Sequence, residues 1–496
     1  MQKSRRDFIQ SLLASSALLP VAGCASLDRL FMGDSLDEGD KVLIVGAGLA
    51  GLSAAYHLKK NQIPFRLFEG SSRMGGRVWT LKNLNISSRQ GELGPDRIEA
   101  DHMAFQSLAQ ELKVALIEFT TKESAAWFDN GRLLEGKDWR RESLELQKLF
   151  RTVQAESYGN LAQFLSAKNQ EQLPKAVLLD RMSGKELLNR LETQMRPWMK
   201  SFLEQVIRSE WGVEPYEISA LHLVHWVRDQ FRPAGKKFFK VSGGTSNFTQ
   251  ALYDRIGGVI PDRFVKFQHQ LTEIKRNEDE NSWSLYFRTP TGVTEIKGRR
   301  VICTLPPALL RQVSGWDRLK FAAGKKKQIS EQNLGNHSKI ILGFQDRFWQ
   351  DDPVLSSGGK LYMDLPTTSV AEGGDPVVSN LGSLHGLLEV QCGGDPGAQA
   401  GLHSIQQALK DLAKVNPNSS SYENISHIQN WRLYPWSKGS RAYLKPGQFQ
   451  NFDPEIPFAD GWTLAGDWLS LNWMGTMNGA ILTGIEAANR FLKTSS

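Results

Sequence analysis

Residues 41–80, KVLIVGAGLAGLSAAYHLKKNQIPFRLFEGSSRMGGRVWT, constrain the fold more than any other part of this chain. Val42 to Val45 read as a strand buried on both faces, running directly into Gly46-Ala47-Gly48-Leu49-Ala50-Gly51. A helix of small residues follows through Leu58, then a second apolar strand, Phe65 to Phe68, that ends on Glu69. Each part has a mechanical purpose. Gly46 permits the tight turn, Gly48 lets backbone approach a pyrophosphate, and Gly51 lets helix and strand pack closely. The helix N-terminus offers free N–H groups and a positive dipole end to phosphates. Glu69 falls about 20 residues on, where an acid can accept the ribose hydroxyls. A lone Gly-x-Gly-x-x-Gly is weak evidence, but here the strand, the helix and the acid it requires are all present.

Three further segments narrow the class. Arg73-Met74-Gly75-Gly76-Arg77 follows the ribose acid directly. Near the other end, Ala465-Gly466-Asp467-Trp468 precedes Gly475-Thr476-Met477-Asn478-Gly479-Ala480-Ile481. Between them lies Arg299 to Pro307, RRVICTLPP. Together these segments resemble the flavin amine oxidase superfamily, and bacterial L-amino-acid oxidases most. The resemblance implies that the strand ending in Gly466-Asp467 brings backbone and a carboxylate to the ribityl-phosphate end of a flavin, and that a helix starting near Thr476 turns its N-terminal N–H groups toward the flavin's pyrimidine edge.

The resemblance implies an α/β chain: a Rossmann-like FAD-binding domain interleaved with an α+β substrate-binding domain that contains a helical segment. It implies FAD, with contacts at Gly46, Gly48, Leu49, Ala50, Gly51, Glu69, Gly70, Arg77, Gly94, Pro95, Asp96, Arg97, Leu271, Gly466, Asp467, Thr476 and Met477. It also implies hydride transfer from an amine-bearing carbon to flavin N5, hydrolysis of the imine, and reduction of dioxygen to hydrogen peroxide.

The substrate is read from Leu93-Gly94-Pro95-Asp96-Arg97. In L-amino-acid oxidases a Gly-Pro-x-Arg at this place sets the arginine beside the flavin, on the substrate carboxylate. Arg97 matches it, and a guanidinium fork meets a carboxylate with two charge-assisted bonds. An ion pair of Arg97 with Glu99 or Asp101 is the structural alternative. Monoamine oxidases attach FAD to a cysteine in the segment matching Trp436-Ser437-Lys438-Gly439-Ser440-Arg441; Ser440 stands at that place, so non-covalent FAD is expected. Their aromatic sandwich around the amine falls near Arg441 and Thr476, neither aromatic, which argues against a simple monoamine. Trp473, Tyr443 and Trp468 are the nearby aromatics. Arg441 is either a second substrate-binding cation favouring an acidic substrate or a surface arginine. The expected substrate contacts are thus Arg97, Arg441, Trp473 and Thr476. Many relatives hold a lysine that bonds a water near flavin N5. Arg311 occupies that neighbourhood, with Lys320 farther off, and an arginine there positions water without acting as a base. His222 and His225 read as packed core residues, and no metal-ligand spacing stands out.

The resulting expectation is oxidative deamination of an L-amino acid to a 2-oxo acid and ammonia. Two alternatives stay open: an FAD oxidase of mono- or polyamines lacking a carboxylate, and a non-catalytic flavoprotein partner subunit. A desaturase or protoporphyrinogen-oxidase-like protein shares the N-terminal motif, but the Gly466–Ala480 segment and Gly-Pro-Asp-Arg weigh against it.

At 496 residues the chain can hold two full domains. Residues 41–95, 241–310 and 436–496 are assigned to the FAD-binding domain, 96–240 to a helical and 311–435 to a mixed segment of the substrate domain. Strands are expected at Gln270–Ile274, Trp283–Arg288, Val301–Leu305 and Trp462–Ala465, and a closing helix at about Met477–Leu492. The net charge of +7 is mild, and the run Lys325-Lys326-Lys327 reads as a solvated face. Without a basic stripe interleaved with aromatics, no nucleic-acid partner is expected. Residues 1–24 read as a signal: Ser4-Arg5-Arg6-Asp7-Phe8-Ile9 resembles a twin-arginine export motif, and the apolar run Leu12–Val21 is too short and serine-rich to span a bilayer. Val21-Ala22-Gly23-Cys24 resembles a lipobox with Cys24 acylated, ordinary cleavage near Ala22 or Ala25 being the alternative. Residues 25–40 read as a linker. A periplasmic protein is expected, with a candidate lipid anchor at Cys24 and homodimerisation left open. Of the other two cysteines, Cys303 reads as a buried small hydrophobe, and with Cys392 it makes no disulfide framework.

Overall fold

The structure, a computed structural model, describes residues 38–82, 90–121, 125–157, 174–230, 237–260, 262–352, 354–357, 359–373 and 386–492. The expected export signal, Cys24 and nearly all of the 25–40 linker lie outside these residues.

The opening motif folds as its pattern requires. Strand β1 (Val42–Val45) feeds helix α1 (Leu49–Lys60), and strand β2 (Phe65–Phe68) returns beside β1 in parallel register, Val45 facing Phe68. Both strands are wholly buried, which explains their unbroken apolar runs. Four more strands complete the sheet: β3 (Val265–Lys266), β4 (Arg300–Cys303), β5 (Phe458–Ala459) and β6 (Trp462–Leu464). The order is β3-β2-β1-β4-β6-β5, parallel except for the edge strand β5. The strands of one sheet therefore come from three separated parts of the chain. Helix α2 (Met477–Leu492) is tied to the end of β6 by the Gly466 N–H donating to Thr483 Oγ1 at 3.0 Å, and to α1 by a 2.7 Å bond between His57 Nε2 and Asn489 Oδ1. Strand order reverses between β1 and β4, and in such sheets a ligand lies beyond the carboxyl ends of the strands at that switch.

An antiparallel meander (Gln270–Asn277, Ser282–Thr289, Gly292–Gly298) leads into β4. The second layer is a seven-stranded sheet, in the order Tyr422–Asn430, Ser338–Phe344, Gly386–Cys392, Ser369–Glu372, Lys360–Met363, Ala125–Asp129 and Arg132–Leu134. The helix Pro197–Trp211 packs on it, with Phe202 edge-on to Tyr362 and Trp127 at 5.4 and 5.6 Å. The described residues of the segment 96–240 are mainly helical, but the segment also contains strands. It supplies Ala125–Asp129 and Arg132–Leu134 to this sheet, while Ile98–Glu99, Leu116–Thr120 and Lys237–Val241 form a small sheet of their own. These strands are too short for a period to register, and Ala125–Phe128, buried on both faces, shows no alternation.

Candidate active site

A cavity of about 1190 Å³ runs from the carboxyl ends of the parallel strands to the second sheet. That is room for a dinucleotide and a small molecule together. At its first end the turn after β1 is bare. Gly46 takes φ +104°, open only to glycine without strain, and a Cβ on Gly51 would stand 1.9 Å from the Gly46 carbonyl oxygen. Gly48 is different: a Cβ there meets nothing within 4 Å, because the position faces the cavity. Helix α1 begins at Gly48 with no side-chain cap, leaving its first N–H groups for an anionic ligand. Glu69 closes β2, accepting from Ala47 N at 2.7 Å and Ser71 N at 2.8 Å, which aims its carboxylate along the cavity wall. Thr304, in the third motif, donates to Val45 O at 2.9 Å and so stitches β4 to the end of β1. A carboxylate for a ribose, a bare backbone turn and an uncapped helix end fit a dinucleotide.

The second arginine of the glycine-rich motif reaches the far end of the chain. Arg77 forms a two-pronged ion pair with Asp467, Nη1 to Oδ2 at 3.1 Å and Nη2 to Oδ1, and Nη1 also donates to the Ser440 carbonyl. The first arginine is a brace: Arg73 lies over the Trp79 ring at 4.1 Å and its Nε donates to Tyr434 Oη at 3.1 Å.

The other end of the cavity is charged. A Cβ on Gly94 would come within 2.1 Å of the Arg77 carbonyl oxygen, so the Gly94–Arg97 segment lies directly against the dinucleotide motif. Arg97 lines the cavity, over the Phe238 ring at 5.2 Å and with Nη2 3.5 Å from Gly359 O. Asp96 pairs with Lys240 at 3.3 Å; against the upward push of burial, Lys240, Lys339 and Arg97 hold it well below the usual carboxylate range. Lys360 opens a strand of the second sheet and Glu210 stands at the end of the helix Pro197–Trp211, bonded to each other at 2.8 Å. Tyr362 Oη donates to the same Glu210 oxygen at 2.8 Å, and Arg441 Nη1 lies 3.7 Å from the other. A carboxylate is poorly placed beside a helix C-terminus. Burial also opposes its charge, yet Lys360 and Arg441 bring Glu210 down to about 2. Arg441 Nη1 also donates to the Glu210 carbonyl at 3.2 Å, capping that helix.

Of the residues singled out from the sequence, Gly46, Gly48, Leu49, Ala50, Glu69, Gly70, Arg77, Gly94 to Arg97, Leu271, Arg441, Gly466, Asp467, Trp473, Thr476 and Met477 all border this cavity. Gly51 does not; it serves packing. Thr476 contributes to the wall, but its hydroxyl is occupied as a helix cap, donating to Trp473 O at 2.8 Å and accepting from Gly479 N at 3.1 Å. Arg311 is a correction. It is absent from the cavity wall, and its Nη1 donates to the carbonyls of Ile329 and Gln332, both at 2.8 Å, so it cannot position water there. Lys320 is exposed and paired with Asp460 at 3.1 Å. A lysine that does border the cavity is Lys339. It reaches the cavity from the second sheet, 3.0 Å from Gly94 O and 2.6 Å from Glu389, and although burial opposes its charge, Glu389 and Asp96 raise it. Tyr443 and Trp468 are buried away from the cavity; its aromatic wall includes Trp226, Trp431, Tyr434, Trp436 and Trp473. His222 does not border the cavity and is partly buried, its Nε2 accepting from Leu444 N at 2.9 Å. Lys360, Glu210, Lys339 and His337 carried no local motif.

Ser440 Oγ meets His337 Nδ1 at 2.7 Å, and His337 Nε2 donates to Ser209 O at 2.9 Å. Burial lowers His337 to about 4, so it is neutral. Cys303 and Cys392 are free, buried, and pushed up to about 12 by that burial; neither borders the cavity.

Comparison with known proteins agrees with this geometry. The model of the flavin-containing amine oxidoreductase family matches residues 49–492. L-amino-acid oxidase of Daboia russelii is 23% identical over 464 residues, covering 90% of this chain and 88% of the relative. That of Crotalus adamanteus is 25% identical over 482 residues, covering 90% and 86%. Among solved structures, cyclohexylamine oxidase from Brevibacterium oxydans superposes with a TM-score of 0.75 at 20% identity, over 92% of this chain and 99% of that one. Putrescine oxidase with bound putrescine gives 0.73 at 19%, over 92% and 99%. These likenesses establish the shared fold.

Proposed function

Because the chain belongs to the flavin-containing amine oxidoreductase family, we propose that it is an L-amino-acid oxidase using FAD held non-covalently. The observation that carries the reading is Arg97: it borders the cavity on a segment whose Gly94 rests on the backbone of Arg77, within the dinucleotide-binding motif. In this reading Gly48 and the start of α1 take the pyrophosphate, Glu69 takes the ribose, and Asp467 with α2 faces the remainder of the flavin. When bound, FAD supplies the acceptor for the hydride leaving the substrate Cα and passes the electrons to dioxygen, giving peroxide. The chain's own part is to seat the substrate. Arg97 grips the carboxylate through two charge-assisted bonds, which fixes Cα relative to the cofactor. Buried and cationic Lys339, held between Gly94 O and Glu389, orders the polar groups beside that segment. Serine at position 440 and the burial of both free cysteines outside the cavity support non-covalent attachment. Twin-arginine export to the periplasm, with Cys24 as a lipid anchor, remains part of the proposal and rests on residues 1–24 alone.

The second reading, an oxidase of carboxylate-free amines, draws on the fold shared with cyclohexylamine and putrescine oxidases. A peroxide-coupled screen of the L-amino acids against mono- and polyamines decides between them. The L-amino-acid reading requires turnover of L-amino acids and a fall in kcat/KM of at least about 100-fold in Arg97→Ala. Turnover of amines alone, undisturbed in Arg97→Ala, overturns it.

A further inference from the structure

We propose that the Lys360–Glu210–Arg441 cluster is a second carboxylate-binding site, making this an oxidase of L-amino acids with an acidic side chain. The inference rests on the L-amino-acid reading above and deepens it. Three cations, Arg97, Lys360 and Arg441, border the cavity; Arg97 acts on Asp96, and Lys360 and Arg441 share one carboxylate, Glu210. Arg97 touches Gly359 O, so it abuts the residue just before Lys360. Glu210 is shared by Lys360 at 2.8 Å and Arg441 at 3.7 Å, which leaves one positive charge of that pair uncompensated. Tyr362 Oη and Lys360 both bond one oxygen of that carboxylate, and Arg441 faces the other at 3.7 Å. A lysine or arginine substrate side chain entering here would meet both of these cations and be repelled by them.

Arg441 has donors to give. Its contacts with Glu210 both use Nη1, and Nη2 has no hydrogen-bond partner among the described residues, while Nε is closed off beside Gly475. Nη2 is the donor that a carboxylate in the cavity can meet with a charge-assisted bond. The guanidinium is held in place by the Trp211 ring at 5.8 Å, and a Cβ on Gly475 would stand only 2.2 Å from its Cγ, so the side chain has one course to follow. A substrate bearing two carboxylates uses Arg97 for the α-carboxylate and Arg441 with Lys360 for the other. This arrangement discriminates against amides, because an uncharged acceptor forgoes the charge-assisted part of each bond.

The test compares L-glutamate and L-aspartate with L-glutamine, L-leucine and L-lysine in the peroxide-coupled assay, using the purified holoenzyme. The acidic substrates should exceed their amides in kcat/KM by about 10- to 100-fold, and Arg441→Gln or Lys360→Gln should erase most of that ratio. Binding is read separately by flavin absorbance changes on titrating glutarate against butyrate, which keeps the test intact if a variant loses turnover. Glutarate should bind at least about 10-fold more tightly, and the gap should close in Arg441→Gln. Oxidation of neutral L-amino acids in preference to acidic ones overturns this inference and leaves the Arg97 reading standing. Oxidation of carboxylate-free amines alone overturns both.

Discussion

Arg77 and Asp467, 390 residues apart in sequence, meet side by side at the cofactor end of the cavity, Nη1 lying 3.1 Å from Oδ2. The pair joins the first motif of the chain to the last and also fixes the Ser440 carbonyl. Asp467 keeps only 7% of its side chain exposed and Arg77 25%. Removing the arginine strands a buried carboxylate. Arg77→Ala should therefore cost about 2–4 kcal/mol in urea unfolding and release flavin on gel filtration. Asp467→Asn, which keeps the shape and one acceptor, should retain more flavin than Arg77→Ala. Equal stability of Arg77→Ala and wild type contradicts a structural role for the pair.

The glycines of the first turn separate by their surroundings. At Gly51 a Cβ runs into backbone, at 1.9 Å from Gly46 O. Gly51→Ala should lower apoprotein stability by about 2–3 kcal/mol. At Gly48 the backbone is extended (φ −72°) and the Cβ direction is open, so Gly48→Val should fold with stability within about 0.5 kcal/mol of wild type. It should nevertheless bind flavin at least about 10-fold more weakly, because the space it fills is where the proposed function puts the pyrophosphate. Thermal melts of the apoproteins and flavin titration check both halves.

Much of the cofactor end was legible because its demands are local. A turn at φ +104°, a close helix–strand contact and an acid ending a strand each write themselves into adjacent residues, as at Gly46, Gly51 and Glu69. The substrate end was not. Glu210, Lys339 and Lys360 gain their meaning from partners on other elements, and each alone is an ordinary charged residue. Arg311 was misread for the converse reason: distance along the chain from the Leu-Pro motif put it near the cavity, while the chain turns it onto Ile329 O and Gln332 O. Asp467, expected as a flavin contact, borders the cavity, and nothing in either motif reveals that its carboxylate pairs with Arg77.

His337 gives the fold an acid-sensitive contact. Its ring bridges Ser440 Oγ and Ser209 O, and burial lowers it from 6.5 to about 4. Between those values the unfolded chain holds a proton that the folded protein refuses, so stability falls as pH drops from about 6.5 toward 4. From pH 7 to 4.5 the loss should be about 2–3 kcal/mol. Glu92, pushed up to about 7 by burial, acts with opposite sign over about 4.5 to 7. The contribution of His337 is therefore read from the difference between wild type and His337→Gln. That difference should shrink as the solution is acidified, and a difference independent of pH contradicts the assignment.

The central claim, that Arg97 makes this flavin amine oxidase act on amines carrying an α-carboxylate, is tested most directly by anaerobic flavin reduction. Each L-amino acid is mixed with the holoenzyme beside the amine left by its decarboxylation, L-glutamate beside 4-aminobutyrate and L-leucine beside isoamylamine. The account predicts that absorbance near 450 nm bleaches with at least one L-amino acid and at least about 100-fold more slowly with its decarboxylated partner. Bleaching by the amines at rates equal to or above those of the amino acids contradicts it.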